Sequence, residues 1–263
     1  MEKLYLVMFF IIGSVMGSFY HVVATRLSKD ESIIFPGSHC VSCNHALRWY
    51  ENIPIISYLM LKGKCSECGK EIPLSCLIVE VVTAMLFAVC FHVFKFSFDL
   101  IIALIFVSSL IIVIVSDIEY MIILDEVLAV STLLIIVLYI IHFLVFMDFK
   151  EGLKQLMVDH VYQGVGAFVF MYSLKIMGDK LFKKESLGGG DIKLMFLFGL
   201  VLGLPLAICT VFLATFIAFP IALIMLFISR DNIIPFGPFL SMSGIIILIS
   251  KIDLDAIINF LVK

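Results

Sequence analysis

Residues 100–117 read LIIALIFVSSLIIVIVSD, a run of 17 uncharged, mostly apolar residues that ends at Asp117. A helix needs about 20 apolar residues, with a lower limit of about 17, to cross a hydrocarbon core about 30 Å thick. The run therefore predicts a membrane-spanning helix. Asp117 would lie where this helix leaves the membrane.

The whole chain, like this run, is rich in apolar residues and poor in charged ones. Of its 263 residues, 62% are hydrophobic and only 15% are charged, against about 45 to 50% and about 25% in ordinary soluble domains. The 18 basic and 21 acidic residues are too few to coat a globule of this size, which excludes a soluble enzyme. A net charge of −3 offers no basic patch for phosphates, which excludes nucleic acid as a partner. The lipid bilayer is the predicted surrounding.

Uncharged runs recur along the chain and predict an all-α polytopic membrane protein with about eight transmembrane helices. The runs are residues 4–25, 81–94, 100–116, 127–147, 161–174, 194–229 and 232–250. The run 194–229 would be about 54 Å long as one helix, so we expect two helices with a break at Gly203 and Pro205. The alternative for residues 4–25 is a signal peptide, but only Lys3 precedes the apolar run and no small-residue cleavage site follows it.

The positions of lysine and arginine predict the orientation, because basic loops stay in the cytoplasm. The segment between the first two spans, residues 26–75, carries six of them. We therefore place it in the cytoplasm. Counting crossings from there puts Asp117, at the end of the third span, and Asp191, at the start of the sixth, at the same cytoplasmic face.

Four of the seven cysteines form two CxxC pairs in this segment. Cys40 and Cys43 are followed, after 21 residues, by Cys65 and Cys68. Four thiolates with this spacing are typical of a closed, structural zinc site. Two disulfides are the alternative, but a cytoplasmic segment is kept reduced. We call residues 26–75 the cysteine module and expect the metal to supply much of its folding energy.

Asp117 and Asp191 are candidates for paired acid–base chemistry. Two carboxylates at one depth, partly withdrawn from water, share a proton, so that one can activate water while the other polarises a carbonyl. Gly188, Gly189 and Gly190 precede Asp191 and would let the backbone pass close to a peptide. The alternative is a flexible joint with Asp191 as a helix cap, and Asp117 as an ordinary residue at the membrane interface.

Glu80 differs from the other acids because it lies inside an apolar run, about one turn beyond the cysteine module. An ionisable group at that depth is costly and is a candidate functional residue, although the interface is near enough to solvate it. His21, late in the first span, is left without a predicted role, since a neutral imidazole is cheaper to bury than a carboxylate.

The residues discussed above belong to a larger set of motifs along the chain. They are Gly17-Ser18-Phe19 with Arg26, the four module cysteines, residues 52–59 (NIPIISYL), Glu80, Asp117, residues 188–193 (GGGDIK) and residues 235–239 (PFGPF). Together they make the chain resemble the bacterial type IV prepilin peptidases of pilus, competence and type II secretion systems over nearly its whole length. Two departures occur: Ile123-Leu124-Asp125 replaces a frequent Ile-Pro-Asp, and Gly189 stands where glycine is unusual.

The resemblance implies that Asp117 and Asp191 are the catalytic pair of a GxGD-type membrane aspartic protease, with Gly188 to Gly190 and Lys193 supporting the substrate loop. It implies that prepilins and pseudopilins are cut after the glycine that ends a basic leader, at the cytoplasmic membrane. S-adenosylmethionine would then methylate the new N-terminal residue. We expect residues 1–98 to be a membrane anchor with the module, associated with methyl transfer through Glu80 and zinc, and 99–263 to be the peptidase domain.

Three other interpretations compete with this one. A peptidase-only GxGD enzyme has the same aspartates, but the cysteine module argues against it. A transporter with a zinc docking module would place acids at the bilayer midplane rather than at one surface. A third interpretation keeps the peptidase and treats the zinc module as purely structural.

Overall fold

The computed structural model describes residues 1–146, 149–228 and 234–251, and these are helices joined by turns and short loops, without a strand beyond two isolated bridges. The predicted all-α class is confirmed for this part of the chain. The helices are α1 (Glu2–Leu27), α2 (Ile56–Met60), α3 (Leu74–Phe94), α4 (Phe98–Tyr120), α5 (Asp125–Phe146), α6 (Phe149–Leu156), α7 (Tyr162–Phe182), α8 (Gly189–Leu202), α9 (Leu204–Ile228) and α10 (Gly237–Ser250).

Within the described residues, five helices are long and apolar enough to cross a membrane: α1, α3, α4, α5 and, over Leu204–Met225, α9. The protein is thus a multi-pass membrane protein. Each of the eight predicted spans overlaps a helix, but α8 and α10 have only 14 residues each, so the number of crossings stays a prediction. The predicted span ends at Met147, Ser229 and Asn232 lie outside the described residues.

The break predicted in the run 194–229 is confirmed. Helix α8 ends at Leu202 and α9 begins at Leu204. Gly203 between them has φ +84°, a conformation that favours glycine. The side-chain oxygen of Gln163, in α7, accepts the backbone N–H of Leu204 at 2.9 Å and so satisfies a free donor at the start of α9.

The chain divides into two compact units, Met1–Glu119 and Tyr120–Lys263. The first contains α1 to α4 and the cysteine module, and the second contains α5 to α10. The functional boundary predicted between residues 98 and 99 lies at the start of α4 and stays a prediction, since it concerns activity rather than packing.

In the first unit, α1 and α3 pack closely along two glycines of α1. A Cβ atom at Gly13 would lie 2.8 Å from the Cα of Ala84, and one at Gly17 would lie 2.9 Å from the Cα of Glu80. Small residues allow such close approach between membrane helices. The contact holds the backbone of Glu80 against α1. Helix α4 is joined to α1 by a hydrogen bond of 2.6 Å between the hydroxyls of Tyr20 and Ser108.

Candidate functional site

The four cysteines of the two CxxC pairs are brought together in the first unit. Their sulfur atoms all lie within 4.8 Å of one another. The Sγ atoms of Cys40 and Cys68 are 3.8 Å apart, and those of Cys43 and Cys65 are 3.9 Å apart. Thiolates bound tetrahedrally to zinc at about 2.3 Å are separated by about 3.8 Å. The cluster therefore has the donor set and the spacing of a four-cysteine metal site.

The two CxxC turns have the same backbone construction. The N–H of Cys40 donates to the carbonyl of His45, and the N–H of Cys65 donates to that of Lys70, each at 2.9 Å. An antiparallel bridge closes each turn, between residues 39 and 46 and between 64 and 71. The residue after the second cysteine is left-handed in both, with φ +57° at Asn44 and +69° at Gly69. Asparagine and glycine are the residue types that tolerate this conformation, so the repeat is encoded locally.

The pKa values of two thiols in the cysteine module, Cys40 and Cys43, are shifted in opposite directions. The backbone N–H groups of Ser42 and Cys43 lower the pKa of Cys40 to about 6. The pKa of Cys43 is instead raised to about 12. The backbone N–H of His45 lowers this value, but loss of hydration and the neighbouring sulfurs outweigh it, since they disfavour a further negative charge. A bound metal ion would remove that penalty and let the four sulfurs bind as thiolates.

Glu51 interacts with residues of both CxxC turns. Its side chain is only 1% exposed, and its Oε2 accepts the N–H of Arg48 at 2.8 Å and lies 3.2 Å from Nε2 of His45. The hydroxyl of Ser66, the N–H of Arg48 and the imidazole of His45 lower the pKa of Glu51 to about 2, although burial opposes this. His45 follows the first cysteine pair and Ser66 lies within the second. Glu51 could not be predicted from the sequence, because nothing in its spacing distinguishes it from a surface acid.

We predict that Glu51→Gln weakens zinc binding by about 10- to 100-fold, which is the usual effect of replacing a residue that supports the metal ligands. A pKa near 2 lies below the ordinary 4.5, so the carboxylate contributes fully above about pH 4.5 and loses its effect as the pH falls towards 2. The deficit should therefore be constant between pH 6 and 8. Competition with a chromogenic chelator measures it. Glu67→Gln is the control, because Glu67 is 54% exposed and pairs with the exposed Arg48 at 3.7 Å. Equal zinc affinity of both variants would contradict the role of Glu51.

Glu80 joins the membrane helices to the cysteine module. It is buried in α3, and its Oε2 accepts the backbone N–H of Ile55 at 2.7 Å. Ile55 has φ +65°, which is unusual for a β-branched residue and needs support from its surroundings. The carboxylate therefore holds the loop of residues 52–55 in a strained conformation against α3.

A cleft of about 460 Å³ opens beside this loop. It lies between α1 and the module, and its lining includes Ser18, Phe19 and Val22 of α1 and residues 52–54. Arg26 forms one edge, and its guanidinium donates to the carbonyls of Pro36 and Gly37 at 2.6 and 3.2 Å. The size and the mixture of apolar and polar groups suit a small-molecule ligand.

Asp117 and Asp191 lie in different units, and each is described in its own surroundings. Asp117 is buried, with 6% exposure, in the last turn of α4, directly after the buried Ser116. Asp191 is also buried, with 6% exposure, in the first turn of α8. Two carboxylates at helix ends are thus withdrawn from water.

The three glycines before Asp191 have different surroundings. Gly188 caps α8, and a Cβ there would lie 3.3 Å from Oδ2 of Asp191. A Cβ at Gly190 would lie 2.6 Å from the Cβ of Ile123, whereas nothing lies within 4 Å of one at Gly189. Gly190 thus lets the start of α8 pack against the chain between α4 and α5. The contact with Ile123 follows from tertiary packing and could not be predicted from the motif.

An ion pair links the same two segments. Nζ of Lys193 lies 2.5 Å from Oδ2 of Asp125, and both side chains are more than half exposed. Asp125 is the third residue of the segment Ile123-Leu124-Asp125, in which the expected proline is missing. Leu124 itself is buried. The segment is therefore fixed by Ile123 packing, by Leu124 burial and by Lys193, without a proline.

Two family models match the chain. The Bacterial Peptidase A24 N-terminal domain matches residues 11–94, and the Type IV leader peptidase family matches residues 104–223. A protein of Bacillus subtilis (strain 168) named Prepilin leader peptidase/N-methyltransferase is 33% identical over 259 residues, which cover 97% of this chain and 96% of that protein. The chain belongs to the type IV leader peptidase family. This confirms the resemblance found in the sequence.

Other leader peptidases align with the chain to different extents. The protein of the same name from Vibrio cholerae is 29% identical over 95% of this chain and 98% of its own length. That of Myxococcus xanthus is 34% identical over 74% of this chain, but the alignment spans only 56% of that protein. No solved structure matches the chain significantly. The Peptidase A24 N-terminal domain model spans the cysteine cluster and Glu80, and the Type IV leader peptidase model spans both aspartates.

Proposed function

We propose that this protein removes the short basic leader from type IV prepilins and pseudopilins, cutting after the leader's last glycine, and then methylates the new N-terminal residue with S-adenosylmethionine. The observation that carries the proposal is the match of both family models, each to a half that contains its own buried acid: Glu80 in the first, Asp117 and Asp191 in the second. The relatives' names combine the same two activities.

In the peptidase reaction, Asp117 and Asp191 share one proton. The ionised carboxylate takes a proton from water, while the protonated partner donates a hydrogen bond to the scissile carbonyl. The water oxygen adds to the carbonyl carbon, and a carboxyl proton then passes to the leaving nitrogen as the carbon–nitrogen bond breaks. No covalent intermediate with the protein forms. Gly190 and the pair Lys193–Asp125 position the start of α8, on which Asp191 lies.

The cysteine module supports the methyl-transfer reaction in this proposal. Zinc held by the four cysteines would stabilise the fold of the module and take no part in the reaction, because four thiolates leave no open position. The module and both aspartates face the cytoplasm, where prepilin leaders are presented. S-adenosylmethionine, when bound, supplies a methyl group on a positively charged sulfur.

The experiment is incubation of purified protein in detergent with a synthetic prepilin, with and without S-adenosylmethionine. Mass spectrometry of the product should show leader loss in both cases and an added methyl group only with the donor. Cleavage without methylation would favour the peptidase-only alternative. Absence of both, together with ion flux in proteoliposomes that is lost in Asp191→Asn, would favour the transporter.

We predict that Gly190→Ala slows leader cleavage by about ten- to hundredfold, because the new methyl group pushes the start of α8 away from Ile123 and misplaces Asp191. The matched control is the neighbouring Gly189→Ala, whose methyl group meets open space. Rates are measured on a fluorogenic prepilin peptide at saturating concentration. Equal rates for the two variants would contradict the positioning role of Gly190.

A further inference from the structure

A cluster of polar side chains lies in the first unit, outside the cysteine site. The Nε2 atom of His21, in α1, lies 3.6 Å from Oε1 of Glu119, in α4, and 3.2 Å from the hydroxyl of Ser75, in α3. The Sγ atom of Cys76 is 3.8 Å from the same ring. Glu80, which is also on α3, is close enough to act on His21 electrostatically. We call these five residues the His21 cluster.

The His21 cluster is sheltered but accessible. The side chain of His21 is 14% exposed and that of Glu119 is 27% exposed. One loop links it to the cleft beside α1: residues 52–54 line the cleft, and the next residue, Ile55, donates its N–H to Glu80. A partly exposed imidazole faced by carboxylates suits a cationic group that must give up a proton.

We propose that the His21 cluster receives the α-amino group of the freshly cut pilin, with Glu119 attracting the ammonium ion and His21 acting as the general base. This inference rests on the proposed methyltransferase function. An α-amino group has a pKa of about 7.7 to 8.0 and is mostly protonated at pH 7, when its nitrogen has no lone pair to attack a methyl group. Neighbouring carboxylates favour the ammonium form further, so a base is needed.

Neutral His21 takes one proton from the ammonium ion. The nitrogen lone pair forms a bond to the donor's methyl carbon as the carbon–sulfur bond breaks, and its electron pair stays on sulfur as a neutral thioether. The product is a methylated ammonium ion, and His21 returns its proton to water. Glu119, Glu80 and Cys76 are the titratable groups that face His21 from α4 and α3.

The first test measures binding without the donor. A peptide with the sequence of a mature pilin N-terminus is compared with the same peptide N-acetylated, in detergent, by fluorescence anisotropy. Wild-type protein should bind the free amine about tenfold more tightly, and Glu119→Gln should lose this preference. A preference that persists in Glu119→Gln would overturn the assignment of the ammonium site.

The second test follows methylation of the same pre-cut peptide against pH. His21→Gln should lower the rate at pH 7 by about 10²- to 10⁴-fold. The deficit should shrink towards pH 9, where the amine loses its proton to water without a base. A merely structural role of His21 would give a deficit that does not change with pH, and that result would overturn the inference.

The matched control is His92→Gln. His92 also lies on this helical unit and pairs with a glutamate, Glu2, at 3.7 Å, but near the opposite ends of α1 and α3. It should methylate like wild type. If wild type and His92→Gln transfer no methyl group, the methyltransferase part of the proposed function fails, and this inference with it. If both are active and His21→Gln equals them at every pH, the inference alone is wrong.

Discussion

Asp117→Asn and Asp191→Asn are each expected to abolish leader cleavage, with a fall in rate of about 10³-fold or more. Asparagine keeps the shape of the side chain but neither ionises nor donates a carboxyl proton, so each variant removes one half of the shared acid–base step. The double variant should be no slower than either single variant, because residues that act as a unit are not additive in their effects.

The control for this prediction is Asp99→Asn, since Asp99 is an exposed acid at the other end of α4. Cleavage is followed by mass spectrometry of a prepilin peptide, and thermal unfolding in detergent confirms that each variant is folded. In wild type we expect a bell-shaped dependence of rate on pH, because activity needs one ionised and one protonated carboxyl group. More than about a tenth of wild-type activity in either variant would show that its aspartate is structural. Asp125 or Glu119 would then be the next candidate.

The second large effect is expected at the cysteine cluster. Cys43→Ser leaves three thiolates, and we predict loss of bound zinc, unfolding of the cysteine module and loss of methyl transfer. Metal binding to small four-ligand modules supplies about 10 to 16 kcal/mol of apparent folding free energy, far more than a segment of this size gains from its core. Zinc content, measured by mass spectrometry of the metal, and methylation of a pre-cut peptide are the two readouts.

Cys209→Ser is the control for this substitution, because Cys209 lies in α9 of the second unit and belongs to no metal cluster among the described residues. Removal of the metal by a chelator should reproduce the loss of methyl transfer while cleavage continues. Methylation by a zinc-free variant would contradict the proposed role of the module. Loss of cleavage on chelation would show that the module also supports the peptidase.

Local sequence signals accounted for those parts of the fold that depend on neighbouring residues. The CxxC spacing predicted the cysteine cluster, because two turns close over a few residues each. The length of the run 194–229 and Gly203 predicted the break between α8 and α9, since the break is set by helix length and one backbone conformation. Hydropathy predicted the helices, and its number of about eight crossings stays a prediction.

Contacts between residues that are far apart in the sequence could not be predicted from local signals. His21 was left without a role, and only the packing of α1, α3 and α4 brings it beside Glu119. Glu51 reads as a surface acid until the two cysteine turns fold around it. The use of Gly190 depends on Ile123, 67 positions earlier in the chain, and the spacing of the glycine motif does not contain that partner. Each of these residues is defined by tertiary packing rather than by periodicity.

The most direct test of the central claim, that one chain carries two separate active sites, is mass spectrometry of products made by Asp191→Asn with the methyl donor present. We predict that this variant leaves a full-length prepilin uncut but still methylates a pre-cut pilin peptide at a rate close to that of wild type. Release of the leader by Asp191→Asn would contradict the assignment of the catalytic pair. Loss of both activities in a folded variant would contradict the separation of the two sites.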